Sequence, residues 1–189
     1  MALEQEVKLA YPNVEAARLA VTTAGGRLVV SRRLLDDRFF DTHDLRLRRD
    51  SQALRIRQDG DLATLTWKGP PQPGDVKTRE EIEADCTDGG DLAALLGALG
   101  YLPCFRSQKY REEYEIHSAV VTVDETPFAV FVEVEAAPAV IRDVVERLGR
   151  SPRDYELASY VALWRRWCAA NHLPFRDMTF DPAPRSTES

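Results

Sequence analysis

The sequence predicts an α+β protein: an eight-stranded antiparallel β-barrel, closed into a tunnel with a charged lumen, with helices packed on its outside. Three observations predict it. One stretch after another alternates charged with apolar residues at the two-residue period of a strand. Most of these stretches are joined by short turns. Separate amphipathic stripes, in residues 14–21, 92–99, 140–148 and 155–167, supply an apolar cover for the strands' oily faces. About eight antiparallel strands commonly close into a barrel, which removes the sheet's edges.

The first strand sets the pattern. In residues 3–9, Glu4, Glu6 and Lys8 share one face, while Leu3, Val7 and Leu9 lie on the other with Gln5. A helix follows from Pro12 to about Ala24, closed by Gly25-Gly26. Residues 28–42 read as extended and end in the turn Phe40-Asp41-Thr42-His43-Asp44, after which 45–50 form one helical turn or a loop. Leu54-Arg55-Ile56-Arg57 pairs across the Asp59-Gly60 turn with 63–68, which puts Thr64, Thr66 and Lys68 on one face. A polar loop runs to about Thr78. Residues 79–86 are charged enough to suggest a helix, but Ile82, Ala84 and Cys86 alternate with Glu81, Glu83 and Asp85, which favours a strand. A helix over 91–99 stops at Gly100. Strands then follow at 108–116 (Lys109 and Arg111 on one face), 120–124 (Thr122 and Asp124) and 128–135 (Glu133 and Glu135). Two helices close the chain, 139–148 and, opened by Ser151-Pro152, a continuous one to about Asn171.

Composition narrows the possibilities. At 189 residues with 44% hydrophobic content, the chain can bury one core, so residues 1–172 are expected to form one domain and 173–189 a polar, disordered tail. A net charge of −6 argues against a nucleic-acid surface. No apolar run is long enough to span a membrane and no signal peptide is evident, so the expectation is a cytoplasmic protein without membrane or nucleic-acid partners, monomeric or a homodimer. Cys86, Cys104 and Cys168 are too scattered for a zinc knuckle and are expected to be reduced and mostly buried; the histidines show no ligand spacing either.

If the apolar faces lie under helices, the charged faces point inward. Any one strand of this kind could be a solvated edge, and any one enclosed pair could be a structural salt bridge. Neither reading accounts for acids recurring as i, i+2 doublets in three strands. Such carboxylate doublets suit a hard divalent cation, Mg2+ or Mn2+, rather than zinc. Beside clustered Arg and Lys they make the composition of a polyphosphate site, held by side chains because no Gly-rich phosphate loop is present.

Glu4-x-Glu6-x-Lys8, Phe40-Asp41-Thr42, Leu54-Arg55-x-Arg57, Thr66-x-Lys68-Gly69-Pro70, Arg79-x-Glu81-x-Glu83, Lys109-x-Arg111, Asp124, Glu133-x-Glu135 and Ser159-Tyr160 occur in the order found in the CYTH superfamily, the triphosphate tunnel metalloenzymes. The chain resembles that family over about residues 3–165. The resemblance implies an eight-stranded antiparallel tunnel and a small-molecule triphosphate as substrate, held by Lys8, Arg55, Arg57, Lys68, Lys109 and Arg111. It implies one metal carried by Glu4, Glu133 and Glu135. Glu6, Glu83, Glu81 and Asp124 would serve a second metal or the attacking water, with Glu6, Glu83, Lys109 and Asp124 the catalytic candidates. Arg79 is either a structural partner of these acids or a ligand. The implied activity is metal-dependent hydrolysis of inorganic triphosphate or of a nucleoside or other organic triphosphate. Class IV adenylyl cyclases share the tunnel, and Thr66-x-Lys68-Gly69-Pro70 and Asp124-Glu125-x-Pro127 lean toward them; the His-Phe pair that cyclases carry ahead of the opening motif is not among residues 1–3. A third reading, a module that binds a phosphorylated ligand or polyphosphate without turnover, explains the acidic doublets poorly.

Overall fold

A computed structural model describes residues 2–180. Its strands are β1 (Ala2–Tyr11), β2 (Arg27–Asp41), β3 (Ala53–Asp59), β4 (Leu62–Lys68), β5 (Lys77–Cys86), β6 (Leu102–Ile116), β7 (Ala119–Glu125) and β8 (Val130–Glu135). Its helices are α1 (Val14–Thr23), α2 (Arg46–Arg49), α3 (Gly89–Ala98), α4 (Pro138–Arg147) and α5 (Tyr160–Ala170). The strands close into one antiparallel barrel in the order β1-β5-β4-β3-β2-β6-β7-β8. Residues 79–86 are strand, as their alternation requires.

The apolar core sits outside the barrel wall, under the helices. Val7 and Leu9 of β1 are wholly buried, with Val121, Val132 and Val134, against Ala17 and Val21 of α1 and Ile141 and Val144 of α4. Each such Val, Leu or Ile side chain stabilises the fold by about 1.5–3 kcal/mol. A second cluster places Leu96 of α3 on Leu54, Ile56 and Ala63. With most of their apolar residues spent outward, the strands turn mainly polar rows to the lumen.

Local signals set the helix ends. The Asn13 side chain accepts the Ala16 N–H at 2.8 Å to start α1, and Gly25, at φ +91°, ends it in the left-handed region. At Gly26 an added Cβ would lie 2.6 Å from Val21 Cγ1 and 2.8 Å from Val21 O, a main-chain atom that cannot yield. Gly26→Ala is therefore expected to cost about 1–3 kcal/mol, read as a lower denaturant midpoint at unchanged slope.

The end of the chain departs from the sequence expectation. Instead of one helix from Ser151, a 3-10 turn at Pro152–Asp154 gives way to extended chain, and α5 starts only at Tyr160, capped by Ser159. The cause is tertiary. β5 pairs with β1 only as far as Glu6, and the main chain of Glu156 takes over at Lys8, donating to Lys8 O at 2.9 Å and accepting from Lys8 N at 3.2 Å. Residues 173–180 include part of the stretch assigned to a tail, yet Met178 is buried and pairs with Ser107, just beyond the last β6–β7 pair, Tyr110 with Glu125. Both late segments thus complete the barrel wall where a strand runs out. The remainder of the expected tail, 181–189, lies outside the described residues. The three cysteines are free, but only Cys168 is buried; Cys104 is exposed. Among the described residues, no helix is long and apolar enough to cross a membrane.

Candidate active site

The barrel encloses a cavity of about 890 Å³. Every candidate named from the sequence lines it except Asp124, and barrel order sorts them into two walls. Glu81 and Glu83 of β5, Glu4 and Glu6 of β1, and Glu133 and Glu135 of β8 come from three adjacent strands and form an acidic wall. Arg55 and Arg57 of β3 and Lys109 and Arg111 of β6 flank β2 and form a basic wall. Lys68 of β4 and Lys8 of β1 reach into the acidic wall. Lys68 Nζ donates to Glu4 Oε1 at 2.6 Å and lies 3.2 Å from Glu81; Lys8 Nζ lies 2.7 Å from Glu6 and 3.0 Å from Glu133.

Each pair of cations in the basic wall is held by a buried aspartate. Asp37 of β2, absent from the sequence candidates, accepts from Arg57 Nε at 2.7 Å and Nη2 at 2.9 Å, with Arg55 Nη1 at 3.5 Å. Burial raises its pKa, but the two guanidiniums outweigh that and hold it far below the ordinary carboxylate range. Asp124 has no solvent exposure and lies behind the wall rather than on it. It accepts from Lys109 Nζ at 2.7 Å, from Arg111 Nε and Nη2 at 2.6 Å each, and from the Tyr160 hydroxyl at 2.7 Å. So satisfied, Asp124 is placed to aim cations, and Arg111 bonds on to Glu133 as well. Lys109 is pushed down to about 8, by burial first and then by Arg111, against the pull of Asp124 and Glu133.

The acidic wall is unevenly neutralised. Burial and Glu133 push Glu6 up, but Lys8, Lys77 and Lys68 win and hold it at about 2. Glu135 is pushed up to about 7 by burial and then by the Glu4 and Glu6 carboxylates. Glu81 also reaches about 7: burial and the carboxylates of Glu4 and Glu83 outweigh Lys68. Glu4 Oε2 is buried and has no hydrogen-bond partner. Crowded carboxylates with an orphaned oxygen are short of positive charge.

The CYTH domain family matches residues 2–152, which include all eight strands of the barrel. The chain belongs to the CYTH family. That family binds small triphosphates and depends in general on divalent metals. The chain is similar, at 29% identity over 119 residues, to a candidate adenylate cyclase of Methanocaldococcus jannaschii; the match takes in 62% of this chain and 66%, just under two-thirds, of that protein. Among solved structures, a protein of Pyrococcus horikoshii superposes with a TM-score of 0.70 at 26% identity, over 87% of this chain and 99% of its own. A candidate adenylyl cyclase of Hippeastrum, described as having a dominant triphosphatase activity, superposes with a TM-score of 0.66 at 20% identity, over 88% of this chain and 96% of its own.

The CYTH acidic wall fits the cation chemically, since it offers hard oxygen donors and one of them lacks any partner. Among the described residues, no three His, Cys, Asp or Glu side chains already converge as a cage. Lys68 and Lys8 are bound to the very carboxylates a cation would need, which is the physical reason.

Three lumen residues that bond to the candidate acids and bases escaped the sequence reading. Lys77, read as loop, bonds Glu6 from the start of β5; it continues the alternation of Arg79 and Glu81 by one step, and that was its signal. Asp37 shares a strand face with Asp41 two steps from the quoted Phe40-Asp41-Thr42. Tyr160 stood in the quoted Ser159-Tyr160 pair without a role, and only the fold carries it to Asp124. Arg79 turns out to serve the wall's structure: it donates to the main-chain carbonyls of Gly69 at 2.7 Å and Ser51 at 2.8 Å, not to the acids.

Proposed function

We propose that this CYTH protein hydrolyses a triphosphate in its lumen with Mg2+ or Mn2+. The observation that carries the reading is the division of one enclosed cavity into a basic wall and a charge-deficient acidic wall. The basic wall suits the phosphates: Arg55, Arg57 and Arg111 offer forks to pairs of oxygens, and Lys109 adds a point charge. Asp37 and Asp124 keep those forks aimed before substrate arrives, which lowers the cost of ordering them. Glu4, Glu133 and Glu135, with Glu6, Glu81 and Glu83, would hold the divalent cation, which when bound supplies further neutralisation of the phosphate oxygens. Lys8 and Lys68, bonded to Glu6, Glu133 and Glu4, would be free to turn to the phosphate chain where a cation satisfied those carboxylates instead. Water attacks the terminal phosphorus in line, a new P–O bond forms as the bridging P–O bond breaks, and a carboxylate of the acidic wall takes the water's proton. The products are phosphate and the diphosphate.

A second reading, cyclisation of ATP with release of pyrophosphate, draws on the name of the Methanocaldococcus relative. One experiment separates the readings. Inorganic triphosphate, ATP and thiamine triphosphate are each incubated with Mg2+, with Mn2+ and with chelator, and the products are resolved. Hydrolysis predicts phosphate from at least one substrate, only with metal. Cyclic AMP with pyrophosphate replaces it under the second reading. Binding without any product would leave the non-catalytic module.

A further inference from the structure

The resemblance offers four acids to a second cation, Glu6, Glu81, Glu83 and Asp124, and the fold has engaged most of them already. Asp124 accepts from Lys109, Arg111 and Tyr160. Glu83 accepts from the Thr66 hydroxyl at 2.8 Å and has Arg55 Nη2 at 3.8 Å. Glu6 carries two ammonium groups on one oxygen: Lys8 Nζ lies 2.7 Å from its Oε1, and Lys77 Nζ donates to the same atom. Together those two charges match one divalent cation. Glu81 alone is lightly held, by Lys68 at 3.2 Å. Lys77 stands directly opposite Glu6 in the last β1–β5 pair, where opposite charges attract across the strands, and its side chain is only 11% exposed. Among the described residues Glu6 is its one carboxylate partner, whereas Lys8 is shared with Glu133 and Lys68 with Glu4 and Glu81. Positive charge is missing elsewhere in the wall. Glu4 is 8% exposed and its Oε2 is buried without a partner, and among the described residues no Lys or Arg pairs with Glu135.

We propose that the Lys77 ammonium takes the place of a second divalent cation at Glu6, so that the lumen holds one such cation, on Glu4, Glu81 and Glu135. This rests on the metal-dependent reading above and narrows its acidic set, because Glu6 is satisfied by Lys77 rather than by metal. Lys77 remains on Glu6 when Lys8 turns to the phosphates, so that carboxylate always faces a cation. An ammonium is a point charge and offers no coordination position, so Lys77 balances and orients Glu6 without binding water as a metal does. Lys77 is thus a positioning residue.

The test counts Mn2+ bound per full chain without substrate, by equilibrium dialysis with free Mn2+ read by electron paramagnetic resonance, on proteins whose folding is checked by circular dichroism. The wild type and Lys77→Arg are expected to bind one Mn2+. Lys77→Met leaves Glu6 with Lys8 alone, beside the Glu135 paired opposite it, and is expected to take up a second. Glu4→Gln is expected to weaken the wild-type site by at least the roughly tenfold that even an outer-shell change costs a metal site. Two Mn2+ in the wild type, or a single Mn2+ of wild-type affinity in Lys77→Met, overturns the role given to Lys77 and leaves the metal-dependent reading standing. Unchanged affinity in Glu4→Gln overturns the placement of the one cation. The wild-type count decides even where Lys77→Met does not fold. A folded wild type that binds no Mn2+ at millimolar concentration removes the metal-dependent reading and this inference together.

Discussion

Asp124→Asn is expected to destabilise the metal-free protein by about 3–5 kcal/mol, because it removes a fully buried anion and leaves Lys109 and Arg111 enclosed without it. At roughly 2–4 °C per kcal/mol for a chain of this size, Tm should fall by about 10 °C. The asparagine amide adds a donor among groups that already donate, so shape alone does not restore the site. The loss should be partly recovered by inorganic triphosphate, whose oxygens offer the displaced cations new acceptors. A ligand at a hundred times its Kd contributes about 2.7 kcal/mol. The variant's Tm should therefore rise more with triphosphate than the wild type's does. An unchanged Tm without ligand would show that Asp124 does not hold the basic wall together.

Glu135→Gln is expected to lower kcat about 10²–10³-fold, the scale on which single charge-stabilising groups act in catalysis. Here the sign of the stability change separates function from scaffolding. Glu135 is raised first by burial and then by the carboxylates of Glu4, Glu6 and Glu133, so neutralising it relieves both costs in the metal-free state. Its Tm should be unchanged or higher while turnover collapses, the trade expected of a group kept for chemistry rather than for packing. Near-wild-type phosphate release across Mg2+ and Mn2+ concentrations would remove Glu135 from the site.

The alternation in β1, β5 and β8 was enough to place Glu4, Glu6, Glu81, Glu83, Glu133 and Glu135 on inward faces before any strand was paired. Period two is a local property of the backbone, so it is legible without knowing a strand's neighbours. The same holds for Lys8, Arg55, Arg57, Lys68, Lys109 and Arg111. Asp124 was read as facing inward with equal ease, but its role was not readable. Whether a carboxylate is spare for a cation or already committed depends on which groups strand pairing and helix packing bring against it, here Lys109 and Arg111 of β6 and the Tyr160 hydroxyl of α5.

The chain's own residue pattern therefore determined which faces are charged, how many strands carry them and that the sheet must hide one side, because each of these follows from side-chain direction and the cost of wetting apolar surface. Only the tertiary structure decided that acids and bases occupy opposite walls, that Asp37 and Asp124 are spent on aiming arginines, and that residues 156 and 178 finish the barrel. Those outcomes depend on strand order and on where pairing stops. Both are settled by contacts between segments far apart along the chain, to which no local periodicity refers.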